Sequence, residues 1–286
     1  LLMFRRLRLY ASFVKFGHSA FALPFALVGV LLAAEHHPLT LVRVAWVVAA
    51  MVTARTAAMG FNRLVDARFD ALNPRTVNRE LPSGAIKTHE ALMLVVIASL
   101  GFCVVTAQLS LLCLALSPVA LAIVFWYSLA KRYTAYTQLF LGLALAIAPV
   151  GGWLAGGGRG GWEPWLLAVG TGSWVAGFDI LYACQDFAFD RAQGLQSIPA
   201  RFGVKSSLFI ARCLHILTVV ALAAVMLVAP LGWWYLVGVG GVAVLLAYEQ
   251  SLVSPEDLSR VKQAFDLNGY VGLFYLMTTA GAIYIE

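Results

Sequence analysis

Hydrophobic positions in this chain neither alternate with polar ones nor form a narrow helical stripe. They come in long blocks separated by short polar stretches. Nine blocks can be marked, roughly 12–34, 41–62, 90–108, 111–128, 136–156, 164–184, 207–229, 231–249 and 267–285. A block of about 20 apolar residues is long enough to cross a bilayer as a helix. A helix also satisfies its own backbone polar groups, which lipid cannot do. The pattern therefore predicts an all-α, polytopic membrane protein: about nine transmembrane helices around a central cavity, folded as one unit over 1–286. The third and fourth blocks are joined through Gln108, Leu109 and Ser110, so these two form a tight hairpin.

Composition agrees with the pattern. Hydrophobic residues make up 61% of the chain and charged residues 12%, with a mean hydropathy of +0.84, far from the roughly 25% charged residues of soluble domains. A net charge of +6 would suit nucleic acid, but its distribution points to the lipid bilayer instead. Fifteen of the 20 Lys and Arg residues fall on the N-terminal tail and on the loops after the second, fourth, sixth and eighth blocks. The opposite loops hold only Arg43 and Arg159, while Lys15, Arg55 and Arg212 lie within or at the ends of blocks. By the positive-inside rule the N-terminus is cytoplasmic and the C-terminus lies on the far side of the inner membrane. The first block is too long for the apolar part of a cleavable signal and lacks a small-residue cleavage site.

Several features carry little chemistry. Cys103, Cys113, Cys184 and Cys213 sit in apolar blocks without CxxC spacing and read as buried free thiols. The glycine cluster of GGWLAGGGRGGWEP lacks the Lys and the Ser or Thr of a phosphate-binding loop. His36 and His37 lie in an outer loop away from the acidic residues. In the first block, Lys15 is placed to snorkel to the interface, and His18 is either a hydrogen-bonded core residue or a substrate contact. Arg212, His215 and Asn268 are further polar residues in apolar blocks that would face the cavity.

Two acidic islands stand out, both on the predicted cytoplasmic side. The first, NRLVDARFDALNPRTVNRELPSG at 62–84, spaces Asn62, Asp66 and Asp70 four residues apart. A continuing helix stacks them on one face, with Arg55 two turns earlier on the same face. The second begins at Asp179 and repeats the spacing at Tyr182, Asp186 and Asp190. Two solvated loops whose acids merely pair with Arg63, Arg68, Arg75 and Arg79 have little reason to share that pattern. Rows of carboxylates at a membrane boundary need a compensating partner, and a divalent metal is the obvious one. Tyr127 and Lys131, one turn apart at the end of the fourth span, aim a hydroxyl and an ammonium at the same mouth. They also fit an interfacial aromatic and basic belt.

The layout suits binding of Mg2+ through oxygen ligands with a diphosphate completing its coordination, and Arg and Lys neutralising the diphosphate. An aromatic-rich apolar cavity below suits an isoprenoid tail and an allylic cation. An ion-coupled carrier is the rival reading, but it would place its acids near the bilayer midplane. These residues resemble a known family. NxxxDxxxD at Asn62, Asp66 and Asp70, DxxYAxxDxxxD at Asp179, Tyr182, Asp186 and Asp190, and YxxxK at Tyr127 and Lys131 are similar to the UbiA superfamily of intramembrane prenyltransferases.

The resemblance covers nearly the whole chain. It implies that Asp66, Asp70, Asp186 and Asp190, with Asn62, hold Mg2+, as two ions with Mn2+ as a substitute, and the diphosphate. It also implies that Tyr127 and Lys131 contact the diphosphate, and that Arg55, Arg63, Arg75, Asp179, Tyr182, Lys15 and His18 bind substrate. The implied partners are a polyprenyl diphosphate and an aromatic acid. KFGHSAFALPFA and NPRTxxRxLPSG resemble the 4-hydroxybenzoate polyprenyltransferase-like branch, which also serves menaquinone synthesis, so the acceptor is 4-hydroxybenzoate or a dihydroxynaphthoate. Arg63, where many members carry Asp, removes one acid and adds a cation.

Overall fold

The structure is a computed structural model that describes residues 2–14, 21–34 and 39–285, with no side chains for 2–5 and 7. Lys15 and His18, and the histidine pair at 36–37, lie outside the described residues. Among these residues there are helices and turns and no strand. In chain order the helices are α1 (Leu2–Phe13), α2 (Ala22–Ala33), α3 (Leu41–Leu72), α4 (Thr88–Leu109), α5 (Leu111–Ala130) and α6 (Thr137–Ala155). Then follow α7 (Glu163–Ala183), a 3-10 turn (Cys184–Asp186), α8 (Phe187–Ala192), α9 (Ile198–Ala224), a second 3-10 turn (Val225–Leu227), α10 (Trp233–Ser251) and α11 (Val261–Tyr284).

Six of these helices are long and apolar enough to cross a membrane: α3, α4, α5, α6, α7 with its extension through α8, and α9 with its terminal turn. α10 and α11 have 19 and 24 residues, but Trp, Tyr, Gly and polar residues at their ends dilute their apolar character. The first apolar block does not form one continuous helix among the described residues. It is divided between α1, which exposes Arg6 and Arg8, and the 12-residue α2, which is mostly buried. α1 lies along the start of the bundle, its Phe13 and Val14 packed with Ile86 and Ala91.

Local sequence explains the ends that matter. Thr40 caps α3 by accepting from the Arg43 amide at 3.2 Å. α3 stops at Asn73 because Pro74 follows, and a residue before proline is pushed out of the helical region. Ser110 is both the end of α4 and the cap of α5, accepting from the Cys113 amide at 3.0 Å, which makes the predicted tight hairpin.

Close backbone approach builds the centre. A Cβ on Gly152 of α6 would lie 1.9 Å from the Ala26 carbonyl oxygen of α2, and one on Gly142 would lie 2.3 Å from the Gly172 carbonyl oxygen of α7. Only glycine permits those two crossings. Phe25 packs on Trp174 and Tyr275 at ring distances of 5.0 and 5.3 Å, joining α2, α7 and α11. On the outside, α4 presents Leu92, Val96, Leu100 and Val104. Such continuous apolar surface suits lipid and not water.

Arg212, His215 and Asn268 do not line the cavity. Trp174 Nε1 donates to Asn268 Oδ1 at 2.6 Å, Asn268 Nδ2 donates to Glu249 Oε1 at 2.7 Å, and Gln250 Nε2 lies 2.9 Å from His215 Nδ1. His215 and Asn268 are thus spent on cross-linking α7, α9, α10 and α11, because a polar group in a dry bundle must find a partner. Arg212 is exposed on α9. All four cysteines are free. Cys113 and Cys184 are buried, but Cys103 is half-buried and Cys213 exposed, since an apolar block in a membrane protein faces lipid as readily as its own core.

Candidate active site

α3 continues unbroken to Leu72 and carries Arg55, Asn62, Arg63, Asp66 and Asp70 down its length. Asp66 and Asp70 are only 5% and 7% exposed, so each requires a compensating charge. Asp66 receives Lys131 Nζ at 2.7 Å on Oδ2 and Arg132 Nη2 at 3.4 Å on Oδ1. Asn62 Nδ2 approaches the same carboxylate at 3.4 Å. Asp70 is held by Arg79 Nη1 at 2.8 and 2.9 Å to its two oxygens. Arg63, buried at 3% exposure, turns its Nε to the Phe13 carbonyl at 3.4 Å and its Nη1 to within 4.0 Å of Asp70. Its charge thus goes into tying α1 to α3.

The second island does not continue as one helix. α7 ends at Ala183, a 3-10 turn carries Cys184–Asp186, and α8 runs for six residues. The one-face stacking expected of Tyr182, Asp186 and Asp190 is therefore broken between the first and second members. Asp186 instead reaches back to the first island. Asn73 Nδ2 donates to its Oδ1 at 3.2 Å and Arg75 Nε to the same oxygen at 3.1 Å, while Arg75 Nη2 donates to Oδ2. Arg75 Nη1 donates to the Tyr182 hydroxyl at 2.8 Å. Burial pulls the Arg75 pKa down, but the hydrogen bond and charge of Asp186 outweigh it, and the group stays protonated above its ordinary value. Asp190 Oδ2 accepts from Ser197 Oγ at 2.9 Å.

The two islands face each other across the end of a cavity of about 1240 Å³. Asn62, Arg63, Asp66, Arg75, Arg79 and Lys131 line its polar end. Arg55, Tyr127, Asp179 and Tyr182 line it as well, and Arg55 Nε is buried with no hydrogen-bond partner among the described residues. Its remaining wall is mainly apolar, with Phe102, Leu116, Val124 and Leu141 among the side chains. Tyr127 thus faces the cavity, while Trp126 beside it is exposed on the outer surface. Asp70, Asp186 and Asp190 stand behind or beside the lining.

The donors suit Mg2+. Among the described residues no three acidic, His or Cys side chains gather tightly enough to cage an ion. Mg2+ does not require a cage: it is commonly held by one or two carboxylates, with substrate phosphates supplying other oxygens. Two pairs of carboxylates with an amide oxygen, at the mouth of an apolar cavity and among cationic groups, fit that donor preference.

Sequence reasoning missed Asn73, Arg132 and Ser197 as partners of these acids, and Lys262, which lines the mouth from α11; Arg79 it named only as a pairing arginine of a solvated loop. Arg132 read as a topological charge, yet its Nη2 donates to the Val65 carbonyl as well as to Asp66. Only the Asn-Pro step after α3 hinted that Asn73 would turn the chain toward its partner island.

Residues 22–277 match the sequence model of the UbiA prenyltransferase family. The chain belongs to that family. A 4-hydroxybenzoate octaprenyltransferase of Vibrio vulnificus (strain CMCP6) is 31% identical over 223 residues, 78% of each chain. The apo structure of a UbiA homologue from Aeropyrum pernix K1 matches with a TM-score of 0.83 at 36% identity, over 91% of this chain and 96% of that one. A UbiA homologue from Archaeoglobus fulgidus, bound to GPP and Mg2+, shares the fold with a TM-score of 0.72 at 19% identity, over 96% and 99%. With the family shown, the chain is an enzyme, a prenyltransferase built of membrane helices, and the carrier reading lapses.

Proposed function

We propose that this enzyme transfers a polyprenyl group from polyprenyl diphosphate to an aromatic acid, with 4-hydroxybenzoate the first acceptor and a dihydroxynaphthoate the second. The observation that carries this reading is a single cavity with two chemically distinct parts. An apolar volume large enough for an isoprenoid runs into a mouth where acidic and basic groups from two islands converge. The relatives' names add the acceptor class.

In this reading Asp66 and Asp70 on one side and Asp186 and Asp190 on the other, with Asn62, hold Mg2+. Bound there, the ion stabilises negative charge on the departing diphosphate. Lys131, Tyr127, Arg75 and Arg79 orient the diphosphate by charge-assisted hydrogen bonds. The allylic C1–O bond breaks with its electron pair going to the diphosphate, an electron-rich ring carbon of the acceptor bonds to C1, and the ring then loses a proton. Asp179 lines the cavity with no ion pair among the described residues, and it is the carboxylate available to take that proton. Arg55, whose buried Nε has no hydrogen-bond partner among the described residues, is available to the acceptor. The apolar wall excludes water, which would otherwise capture the allylic cation. The same reading keeps one domain, nine spans, a cytoplasmic N-terminus and a mouth on the cytoplasmic face of the inner membrane.

The test offers purified enzyme a polyprenyl diphosphate with 4-hydroxybenzoate or a dihydroxynaphthoate and reads products by mass spectrometry with and without Mg2+. Prenylated acceptor only with Mg2+ is the expected result. No product and no diphosphate release with either acceptor overturns the reading.

A further inference from the structure

Asp186 is held by one side chain on both oxygens. Arg75 Nε reaches Oδ1 at 3.1 Å and its Nη2 reaches Oδ2, while Asn73 adds a third donor at 3.2 Å. A carboxylate gripped in this bidentate way has few lone pairs free for a cation. The same Arg75 also lines the cavity and lies over the Tyr182 ring at 5.2 Å, within reach of an anion at the mouth. Arg79 repeats the arrangement on a smaller scale, holding both oxygens of Asp70 while lining the cavity. Lys262 lines the same mouth but takes part in no ion pair among the described residues.

We propose that Arg75 and the divalent cation compete for the same oxygens of Asp186, and that Arg75, once displaced, binds the diphosphate, so that cation and diphosphate enter the site as a coupled pair. The inference rests on the reading of Asp186 as a cation ligand. Its logic is that of a binding-competent fraction: a cation meets a free Asp186 only as often as Arg75 lets go, and its apparent affinity falls by that fraction. A diphosphate that takes Arg75 removes the competitor. It also supplies oxygens to the cation, which is why the competition must be measured on the protein without diphosphate. The arrangement disfavours a site loaded with cation alone.

Mn2+ binding to the purified full chain in detergent, followed by electron paramagnetic resonance without any diphosphate, tests this without reference to turnover. Arg75→Gln is expected to bind Mn2+ about tenfold more tightly than wild type. Part of that gain would come from removing any positive charge, so two further variants separate the causes. Arg75→Lys keeps the charge but loses the fork, and it is expected to tighten binding roughly threefold or more. Lys262→Gln removes a charge at the same mouth without touching Asp186, and it is expected to change affinity by less than about twofold.

If Arg75→Lys binds Mn2+ as wild type does, or Lys262→Gln gains as much as Arg75→Gln, the competition is wrong although the cation site stands. If Asp186→Asn leaves Mn2+ binding unchanged, the ligand assignment itself falls and the competition with it. A loss of Mn2+ binding in Asp186→Asn together with a gain in both Arg75 variants supports the proposal.

Discussion

The two acidic islands share a sequence spacing but not a structure. In the first, one unbroken helix carries Asp66 and Asp70 inward, and both are nearly closed off from their surroundings. Their counter-charges come from three places: Lys131 and Arg132 after α5, Arg79 in the following loop, and Arg63 on α3 itself. In the second, the helix breaks at a 3-10 turn, and Asp186 and Asp190 are half-exposed. Asp186 depends on partners from the first island, whereas Asp190 has a local serine. The contrast shows that the first island is part of the scaffold while the second is docked against it. A spacing of four means one face only where the helix actually continues.

The comparison can be broken or sharpened by experiment. The largest effect expected is from metal removal, since both islands are read as sharing the ion: EDTA should abolish turnover, and added Mg2+ or Mn2+ should restore it. Activity that persists in metal-free buffer would leave the islands with a purely structural role. Next comes Asp66→Asn against Asp190→Asn. Both should lose about a hundredfold or more in kcat/KM, but their stabilities should differ. The first leaves two cations without their anion and should cost about 1–3 kcal/mol, below the value for a dry pair because Lys131 and Arg132 are 25% and 24% exposed. The second exchanges a carboxylate acceptor for an amide one toward a single neutral donor and should cost about 1 kcal/mol or less. Equal shifts in thermal denaturation in detergent would erase the distinction between scaffold and docked island.

A finer effect separates the two cations on Asp66. Lys131→Ala removes a 2.7 Å contact and should reduce kcat/KM roughly tenfold to a hundredfold, whereas Arg132→Ala removes a 3.4 Å contact and should reduce it less. A silent Arg132→Ala would return that residue to the topological role its position first suggested. The smallest effect on turnover belongs to Gly203, near the start of α9 after the second island. Its φ of 80° and ψ of 164° suit glycine alone, yet a Cβ there would meet nothing within 4 Å. Gly203→Ala should therefore cost about 1–3 kcal/mol of stability through backbone strain, with kcat within about twofold of wild type. A larger loss of kcat would mean that the second island senses the start of α9.

What the sequence alone determined were properties fixed by local chemistry. The apolar blocks gave helices long enough to cross a bilayer, because lipid leaves the backbone no other way to satisfy itself. Ser110 and the Asn73–Pro74 step set their ends by capping and by steric exclusion. The candidate residues were legible because carboxylates are rare in apolar sequence and their spacing was repeated. Only the tertiary structure decided which charges meet. Asp66 with Lys131 and Asp186 with Arg75 are contacts between residues 65 and 111 positions apart along the chain, and no local pattern encodes them. The division of the first block, the break after Ala183, and the burial of His215 and Asn268 were likewise set by packing, since a helix continues only where its neighbours leave room and a buried polar group takes whichever partner the fold supplies.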